Sequence, residues 1–222
     1  MTKDFLLRGK SFFHIMMRDD IRKGNNMLQC FYPDHYVDST YEIDFETLYR
    51  KGYRGVVFDI DNTLVPHGAP ADERSTALMD RLRSLGYRVM MISNNKEPRV
   101  KSFCDAVGTE YIYKANKPFV KNYRKAMERL QTNQKNTLFV GDQLFTDVWG
   151  AKKAGMTTYL VKPIHPKEEI QIVIKRFFER IVLWFYLRDR RGKSVAGQSL
   201  PEKVSAVGRQ DAARKKQSEE RQ

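Results

Sequence analysis

The sequence predicts an α/β fold in which helices cover both faces of a parallel sheet. Short apolar runs alternate with longer segments of helical periodicity along residues 55–161, and this alternation is typical of three-layer proteins. Several of the apolar runs end directly in acidic or small polar residues. Ligands of open α/β sheets bind beyond the carboxyl ends of the strands. We therefore expect a Rossmann-like α/β/α sandwich with one site at that edge.

Five strands are predicted from the apolar runs at residues 56–58, 89–92, 111–113, 137–140 and 157–161. Short continuous apolar runs of this kind are expected of strands that are covered on both faces. Four helices are predicted between them at residues 70–85, 98–107, 119–130 and 144–154. Gly86 is expected to end the first helix. Pro118 is expected to begin the third, because the N–H that proline lacks would be unpaired in the first turn of a helix.

Asp59 and Asp61 lie where the first apolar run meets a turn. Side chains alternate along an extended chain, so these two carboxylates are expected to face the same side, opposite Ile60. Two close carboxylates repel each other, and the pair therefore indicates either a bound cation or a shared proton. The alternative is an Asp/Asn turn that ends a strand, because both residues are common in turns.

Polar and charged residues follow the other predicted strands in the same way. They are Ser93, Asn94, Asn95, Lys117, Asp142 and Asp147. A hydroxyl with backbone N–H groups and a lysine suits the oxygens of a phosphate. A few carboxylates, without histidine or cysteine, suit Mg²⁺, which prefers oxygen ligands.

The ordered set resembles the motifs of the haloacid dehalogenase (HAD) superfamily of phosphohydrolases. The matching segments are DIDNT at 59–63, Ser93, Lys117 and GDQLFTD at 141–147. The resemblance implies that Asp59 is the nucleophile, and that Asp61 protonates the leaving oxygen and then activates water. It implies Mg²⁺ bound by Asp59, the backbone carbonyl of Asp61 and Asp142, with Thr63 and Asp147 in supporting positions. It also implies that Ser93, the amide of Asn94 and Lys117 bind the phosphoryl oxygens.

The spacing of these motifs leaves no room for a cap domain. Only 31 residues separate Asp61 from Ser93, and 23 separate Ser93 from Lys117. One helix and one strand use nearly all of each interval. By resemblance, capless members of the superfamily act on large or surface-bound substrates, so the substrate is expected to be bulky or presented on a surface.

The charge and cysteine content indicate which compartment and which partners to expect for this domain. The net charge is +13, of which residues 1–26 contribute +3 and residues 189–222 contribute +4. The latter segment has almost no large apolar residue and is expected to be a basic disordered tail. Cys30 and Cys104 form neither a metal motif nor a disulfide framework, which indicates a reducing, cytoplasmic setting. No DNA- or RNA-binding motif is found, so no nucleic acid partner is expected.

Residues 167–188 are predicted to form an amphipathic helix at the end of the domain, residues 27–188. Their apolar residues recur at helical spacing, and residues 181–187 are apolar or aromatic on all sides. Aromatic residues followed by arginines resemble an interfacial helix on anionic lipid. Residues 170–191 therefore predict peripheral binding to the inner face of the cell membrane; docking on the core or on a protein partner is the alternative.

Residues 1–26 are expected to be a misannotated extension upstream of a start at Met27. The likeness to the family begins just after Met27, and Arg22-Lys23-Gly24 matches the translation of a purine-rich ribosome-binding sequence. The alternative is a short basic amphipathic leader.

Within the superfamily, the chain most resembles the YqeG group of subclass IIIA, from about residue 32 to residue 183. The segments that carry this resemblance are YPDHYVDSTYEID at 32–44, FDIDNTLVP at 58–66, SNNKEPRV at 93–100, GDQLFTDVWGAKKAG at 141–155 and VKPIHPKEEIQIV at 161–173. The group is similar to the phosphatidylglycerophosphate phosphatases, which implies a phospholipid headgroup as substrate. A phosphoprotein, nucleotide or sugar phosphate is the alternative, and a non-catalytic membrane- or protein-binding module of the same fold is a second one.

Overall fold

The computed structural model describes residues 29–165 and 182–188. The chain divides into two units after Trp184, and the fold below is that of the first. The predicted extension at residues 1–26, most of the helix at 167–188 and the tail at 189–222 lie outside the described residues. Residues 182–188 are helical. In the described part, no helix is both long and apolar enough to span a bilayer.

Six parallel strands form one sheet, in the order β1-β6-β5-β2-β3-β4. The strands are β1 His35–Val37, β2 Gly55–Phe58, β3 Arg88–Ile92, β4 Glu110–Ile112, β5 Thr137–Gly141 and β6 Thr157–Val161. Strand β2 lies between β3 and β5, and Phe58 is opposite Met91 and Val140. The carboxyl ends of these three strands therefore lie level, at the point where the strand order reverses.

Five α-helices connect the strands: α1 Phe45–Arg50, α2 Glu73–Ser84, α3 Glu97–Val107, α4 Val120–Arg129 and α5 Trp149–Lys153. Val56 and Phe58 pack in one core cluster with residues of α1, α2 and α3. Val57, between them in sequence, packs in another cluster with residues of α4 and α5. Alternate residues of a buried strand thus face opposite helix layers. The three-layer α/β/α sandwich and the absence of a cap between Asp61 and Lys117 are confirmed.

Two predicted helices differ from the structure. Helix α4 begins at Val120, so the prediction that Pro118 begins it was wrong; Pro118 instead lies in a turn after a cis peptide bond. The predicted single helix at 144–154 is a π-helical turn, Leu144–Val148, followed by α5. Backbone geometry at such junctions depends on tertiary packing, which periodicity alone does not reveal.

Residues 29–50 add elements that hydrophobic periodicity did not predict. They form two 3₁₀ turns, Gln29–Phe31 and Thr40–Glu42, with β1 and α1. The second turn supports the loop after β2, because Thr40 Oγ1 donates to the carbonyl of Thr63 over 2.8 Å. The hydroxyl of Tyr41 likewise donates to the carbonyl of Leu64 over 2.6 Å. This segment thus fixes the loop that carries the first acidic motif.

Candidate active site

Asp59 is the first residue after β2 and lies at the centre of the site. Its backbone N–H donates to the carbonyl of Val140 on β5, which continues the sheet pattern to the position of the carboxylate. Asp59 is only 5% exposed, and its Oδ1 lies 2.6 Å from Lys117 Nζ. Burial raises the pKa of Asp59 above its ordinary value, against the effect of Lys117. An added cation beside Asp59 would favour its charged form.

Lys117 lies between two buried carboxylates. Its Nζ is 2.7 Å from Asp147 Oδ1 as well as 2.6 Å from Asp59 Oδ1. Burial by itself would lower the pKa of Lys117, but Asp147 and Asp59 outweigh it and raise that pKa. Asn94 holds the backbone of Lys117 at both polar groups, because its Oδ1 accepts from the Lys117 N–H and its Nδ2 donates to the carbonyl. The ammonium is thereby fixed beside Asp59.

Three buried carboxylates form a group that can hold a metal ion. Ligand oxygens of Asp59, Asp142 and Asp147 lie within 4.8 Å of one another. Asp147 is 0% exposed; its Oδ2 accepts from the N–H of Gln143, and its Oδ1 pairs with the Lys117 ammonium at 2.7 Å. Within this group Lys117 brings one positive charge against three carboxylates, and buried negative charge without compensation is costly. The group therefore fits a hard divalent cation such as Mg²⁺.

Asp61 points to different partners from those of Asp59. Its Oδ1 accepts from the N–H of Gly68 over 2.8 Å and from Arg99 Nη2 over 2.9 Å. Its Oδ2 accepts from Asn95 Nδ2 over 3.3 Å. Burial alone would raise the pKa of Asp61, but these three hydrogen-bond donors outweigh it and hold the pKa below its ordinary value. Arg99 provides an opposing charge for Asp61, as Lys117 does for Asp59, and the carboxylate group could add a bound cation to these.

The remaining predicted residues lie around this centre. Ser93 is 3% exposed and continues β3, with its N–H donating to the carbonyl of Ile112 and its carbonyl accepting from the N–H of Ala115. Its hydroxyl accepts from the N–H of Asn95. Thr63 is buried, and its hydroxyl donates to Asp142 over 3.4 Å. Thr63 therefore links the first acidic motif to the last.

Residue patterns alone did not assign roles to Asn95, Arg99 and Gly141. Arg99 had a usable signal, because a cation in the first turn of a helix is unfavourable unless an anion lies beside it. Gly141 had none, since only the fold shows that a Cβ there would lie 2.6 Å from Asp147 Oδ2. The carboxylate of Asp147 reaches its position because residue 141 has no side chain.

Comparison with known proteins identifies the family. A family model described as haloacid dehalogenase-like hydrolase matches residues 67–155. The chain is 35% identical over 159 residues to the probable phosphatase YqeG of Bacillus subtilis, which covers 71% of this chain and 92% of the relative.

Two further relatives match over shorter segments. The chloroplastic/mitochondrial phosphatidylglycerophosphate phosphatase 1 of Arabidopsis thaliana is 28% identical over 147 residues, 59% of this chain and 40% of that protein. The glyceraldehyde 3-phosphate phosphatase of Pyrococcus abyssi is 31% identical over 91 residues, 37% of this chain and 38% of that protein. The likeness to YqeG extends over nearly the whole relative, so the chain belongs to the haloacid dehalogenase-like hydrolases and is a phosphatase of that family.

Proposed function

We propose that this phosphatase is a Mg²⁺-dependent phosphomonoester hydrolase that forms an aspartyl-phosphate on Asp59 and converts phosphatidylglycerophosphate to phosphatidylglycerol. The observation that carries the reaction type is the group of three buried carboxylates beside a buried lysine, at the level carboxyl ends of β2 and β5. Phosphoryl transfer needs charge neutralisation and positioning more than any other contribution. A site with a fixed ammonium and room for a cation supplies both.

Asp59 is the proposed nucleophile. Its carboxylate attacks the phosphorus atom, the bond between phosphorus and the ester oxygen breaks, and that oxygen leaves with the bonding electron pair. The second half of the reaction is attack by water on the phosphorus of the aspartyl-phosphate, which releases inorganic phosphate and restores Asp59. Lys117 lies against Asp59 Oδ1 at 2.6 Å, and we assign the attack on phosphorus to the other carboxylate oxygen.

Asp61 is the proposed proton donor and acceptor. The anionic phosphate of a bound ester raises the pKa of Asp61, so that Asp61 can take up a proton. It gives this proton to the leaving oxygen, which departs as an alcohol, and the resulting carboxylate takes a proton from the attacking water. The two steps together consume one ester and one water and yield one alcohol and one phosphate. Asp61 lies two residues from Asp59, and three donors outside the carboxylate group hold its side chain, which keeps the Asp61 carboxylate apart from the carboxylates that would hold the metal.

Asp59, Asp142 and the backbone carbonyl of Asp61 are the proposed Mg²⁺ ligands, with Asp147 and Thr63 in support. When bound, the ion offsets the repulsion between the phosphate and the Asp59 carboxylate and stabilises charge on the transferring group. Lys117 and the hydroxyl of Ser93, with the amide of Asn94, are the proposed contacts to the phosphoryl oxygens. The burial of Ser93 and Lys117 supports this, because hydrogen bonds to a charged group are stronger where water is excluded.

A phospholipid headgroup is the proposed substrate because no cap is inserted between Asp61 and Lys117. The segment between Asp61 and Ser93 contains only a loop, α2 and β3, and nothing there forms a cover. Phe119, two residues after Lys117, is 63% exposed, and Ile164 is 43% exposed while its N–H donates to the carbonyl of Asn62. Apolar side chains therefore lie near the catalytic lysine and the acidic loop. The plant relative named as a phosphatidylglycerophosphate phosphatase supports the same substrate.

Residues 182–188 support contact with a membrane. Trp184 is 58% exposed and Leu187 is 41% exposed, whereas Val182 and Leu183 pack in the core cluster around Phe31 and Trp149. Tryptophan is a residue that favours the interface between lipid and water. We propose that the phosphatase binds peripherally to the membrane that presents its substrate.

A soluble phosphate ester is the second candidate substrate. The relative from Pyrococcus abyssi is named for glyceraldehyde 3-phosphate, a small soluble substrate. The carboxylate group and Lys117 would bind the phosphoryl group of a soluble ester in the same way. The two candidates therefore differ in what lies beyond the phosphate.

Competing substrates test the proposal directly. Purified protein with Mg²⁺ is offered phosphatidylglycerophosphate in mixed micelles, beside soluble sugar, nucleotide and peptide phosphates. We expect the highest kcat/KM for the lipid. Activity confined to the soluble esters would rule out the lipid substrate without affecting the reaction type.

Asp59→Asn tests the nucleophile. We expect kcat to fall by about 10³-fold or more, because the amide cannot form the phosphorylated intermediate. Asp80→Asn is the matched control, since Asp80 pairs with Arg83 at the surface of α2 and its side chain is 65% exposed. Retained hydrolysis by Asp59→Asn would contradict the mechanism.

A further inference from the structure

Arg99 is a partly buried cation next to the proposed catalytic acid. It lies in the first turn of α3, and its side chain is only 16% exposed. Its Nη2 is 2.9 Å from Asp61 Oδ1, and its guanidinium carbon is 5.7 Å from the centroid of the Phe103 ring. Phe103 is fully buried, one turn further along the same helix. Arg99 is thus supported on one side by the core and bonded to Asp61 on the other.

The position of Arg99 is electrostatically unfavourable without Asp61. The amino end of a helix carries a partial positive charge, which disfavours a cation in the first turn. Among the described residues, the buried Arg99 Nε has no hydrogen-bond acceptor. The guanidinium instead donates through Nη2 to Asp61 Oδ1. An arrangement with these costs is unexpected if Arg99 served only to hold α3 in place.

The two oxygens of Asp61 have unequal surroundings. Oδ1 accepts two short hydrogen bonds, from the N–H of Gly68 at 2.8 Å and from Arg99 at 2.9 Å. Oδ2 accepts a longer one, from Asn95 at 3.3 Å. Two good donors on Oδ1 disfavour a proton there, because that oxygen is already used as an acceptor. Oδ2 has only the single, longer hydrogen bond and is therefore the oxygen that can more readily carry a proton.

We propose that Arg99 is a positioning residue that holds Asp61 Oδ1 and thereby directs the proton-carrying Oδ2 toward the leaving oxygen of the substrate. This inference rests on the proposed function. In the transfer, the proton on Oδ2 passes to the leaving oxygen as its bond to phosphorus breaks, and Asp61 becomes a carboxylate. In this role Arg99 acts through Asp61, to which it is bonded.

Substrates with different leaving groups test this role. An alkyl phosphate needs its leaving oxygen protonated, whereas 4-nitrophenyl phosphate releases a stable phenolate and needs little help. For Arg99→Ala we expect kcat/KM to fall by about 100-fold on the alkyl ester, within the range for general acid catalysis. We expect a fall below about tenfold on the aryl ester, since kcat/KM reports the step in which the leaving group departs.

Arg99→Lys and a surface variant provide the controls. The lysine retains the charge and is expected to restore part of the activity on the alkyl ester, even where Arg99→Ala is poorly folded. Arg81→Ala removes a guanidinium that pairs with Glu46 at the surface, with its side chain 51% exposed, and should change neither substrate's kcat/KM. Thermal unfolding of each variant shows whether the folded fraction is equal.

Equal losses on the two esters, with a wild type that hydrolyses both, would overturn the positioning role and leave the proposed function intact. Failure of the proposed function is a separate result: the wild type would hydrolyse neither ester, or Asp59→Asn would retain the activity, and that would overturn both proposals. A selective loss on the alkyl ester, partly restored by lysine, is the result we expect.

Discussion

At the scale of single residues, the candidate metal site depends on one glycine. Gly141 ends β5, and a Cβ at this position would lie 2.6 Å from Asp147 Oδ2 and 2.7 Å from Asp147 Cβ. Asp147 is completely buried and bonded through Oδ2 to the N–H of Gln143, so it cannot move into solvent. The small residue therefore sets how closely Asp147 approaches Asp59 and Asp142.

Gly141→Ala is expected to weaken Mg²⁺ binding by about 10- to 100-fold, as changes to residues that orient metal ligands do. The added methyl group displaces the Asp147 carboxylate. The Mg²⁺ dependence of aryl phosphate hydrolysis and titration calorimetry measure the change. Gly52→Ala is the control, because a Cβ at Gly52 meets nothing within 4 Å while its positive φ still makes the substitution costly. Unchanged Mg²⁺ affinity in Gly141→Ala would contradict this account of the site.

At the scale of elements, strand β1 is attached to the sheet edge by side-chain bonds at its start. The N–H and the hydroxyl of Thr158 on β6 each donate to Asp34 Oδ2 over 2.8 Å. The hydroxyl also accepts from the N–H of Asp34. Thr158 is fully buried. Strand β1 leads into the 3₁₀ turn that supports the loop after β2, so this attachment connects the sheet edge to the candidate site.

Asp34→Ala is expected to lower the free energy of unfolding by about 1–3 kcal/mol at pH 7, because it leaves buried donors of Thr158 without a partner. Burial alone would raise the pKa of Asp34, but Thr158 and Lys152 outweigh it and hold the pKa below the ordinary 3.8. A carboxyl group whose pKa is lower in the folded protein stabilises the fold at a pH above its pKa in the unfolded chain. This stabilisation is lost as the pH falls through its pKa in the folded protein.

The difference in free energy of unfolding between wild type and Asp34→Ala should therefore be largest above about pH 4. It should shrink as the pH falls below 3.8, the pKa of this group in the unfolded chain. Urea unfolding over a pH series measures it. Asp38→Ala is the matched control, since Asp38 pairs with Lys162 at the surface and its side chain is 66% exposed; surface pairs contribute little. A constant difference down to pH 2 would show that the charge of Asp34 is not involved.

At the scale of the whole molecule, no cap is inserted between Asp61 and Lys117, and exposed apolar side chains occur near the candidate site and in the helical residues 182–188. Phe119 lies two residues after Lys117, and the N–H of Ile164 donates to the carbonyl of Asn62. Both side chains are exposed, as are those of Trp184 and Leu187 in the helix. The net charge of +13 favours anionic surfaces over neutral ones. These features support a substrate that a membrane presents.

The double substitution Trp184→Ala and Leu187→Ala is expected to reduce binding to vesicles that contain phosphatidylglycerol by about tenfold or more, because both side chains lose apolar area that lipid would cover. Hydrolysis of 4-nitrophenyl phosphate should stay unchanged. Cosedimentation measures the binding, with phosphatidylcholine vesicles as the neutral control. An equal loss of vesicle binding and soluble activity would indicate that these residues serve the fold instead.

Much of the fold, and which polar residues lie together at the candidate site, could be predicted from the sequence. Strand β2 is buried on both faces, so Val56 to Phe58 form a continuous apolar run whose end is marked by Asp59. Parallel strands bring such ends to one edge. The residues at the other ends, Ser93, Lys117 and Asp142, were predicted for the same reason. Strand β1 and α1 were missed because their short segments carry too little periodicity.

Only the tertiary structure decided how these residues are paired. Asn94 holds the backbone of Lys117 across 23 residues, and Arg99 reaches Asp61 across 38. Contacts of this kind depend on how the crossovers place one strand end beside another, which local patterns do not record. The sequence by itself determined which chemical groups meet at the sheet edge, because burial and strand direction are local properties. The tertiary structure decided which of these groups neutralise one another, because the distances between strand ends depend on the whole fold.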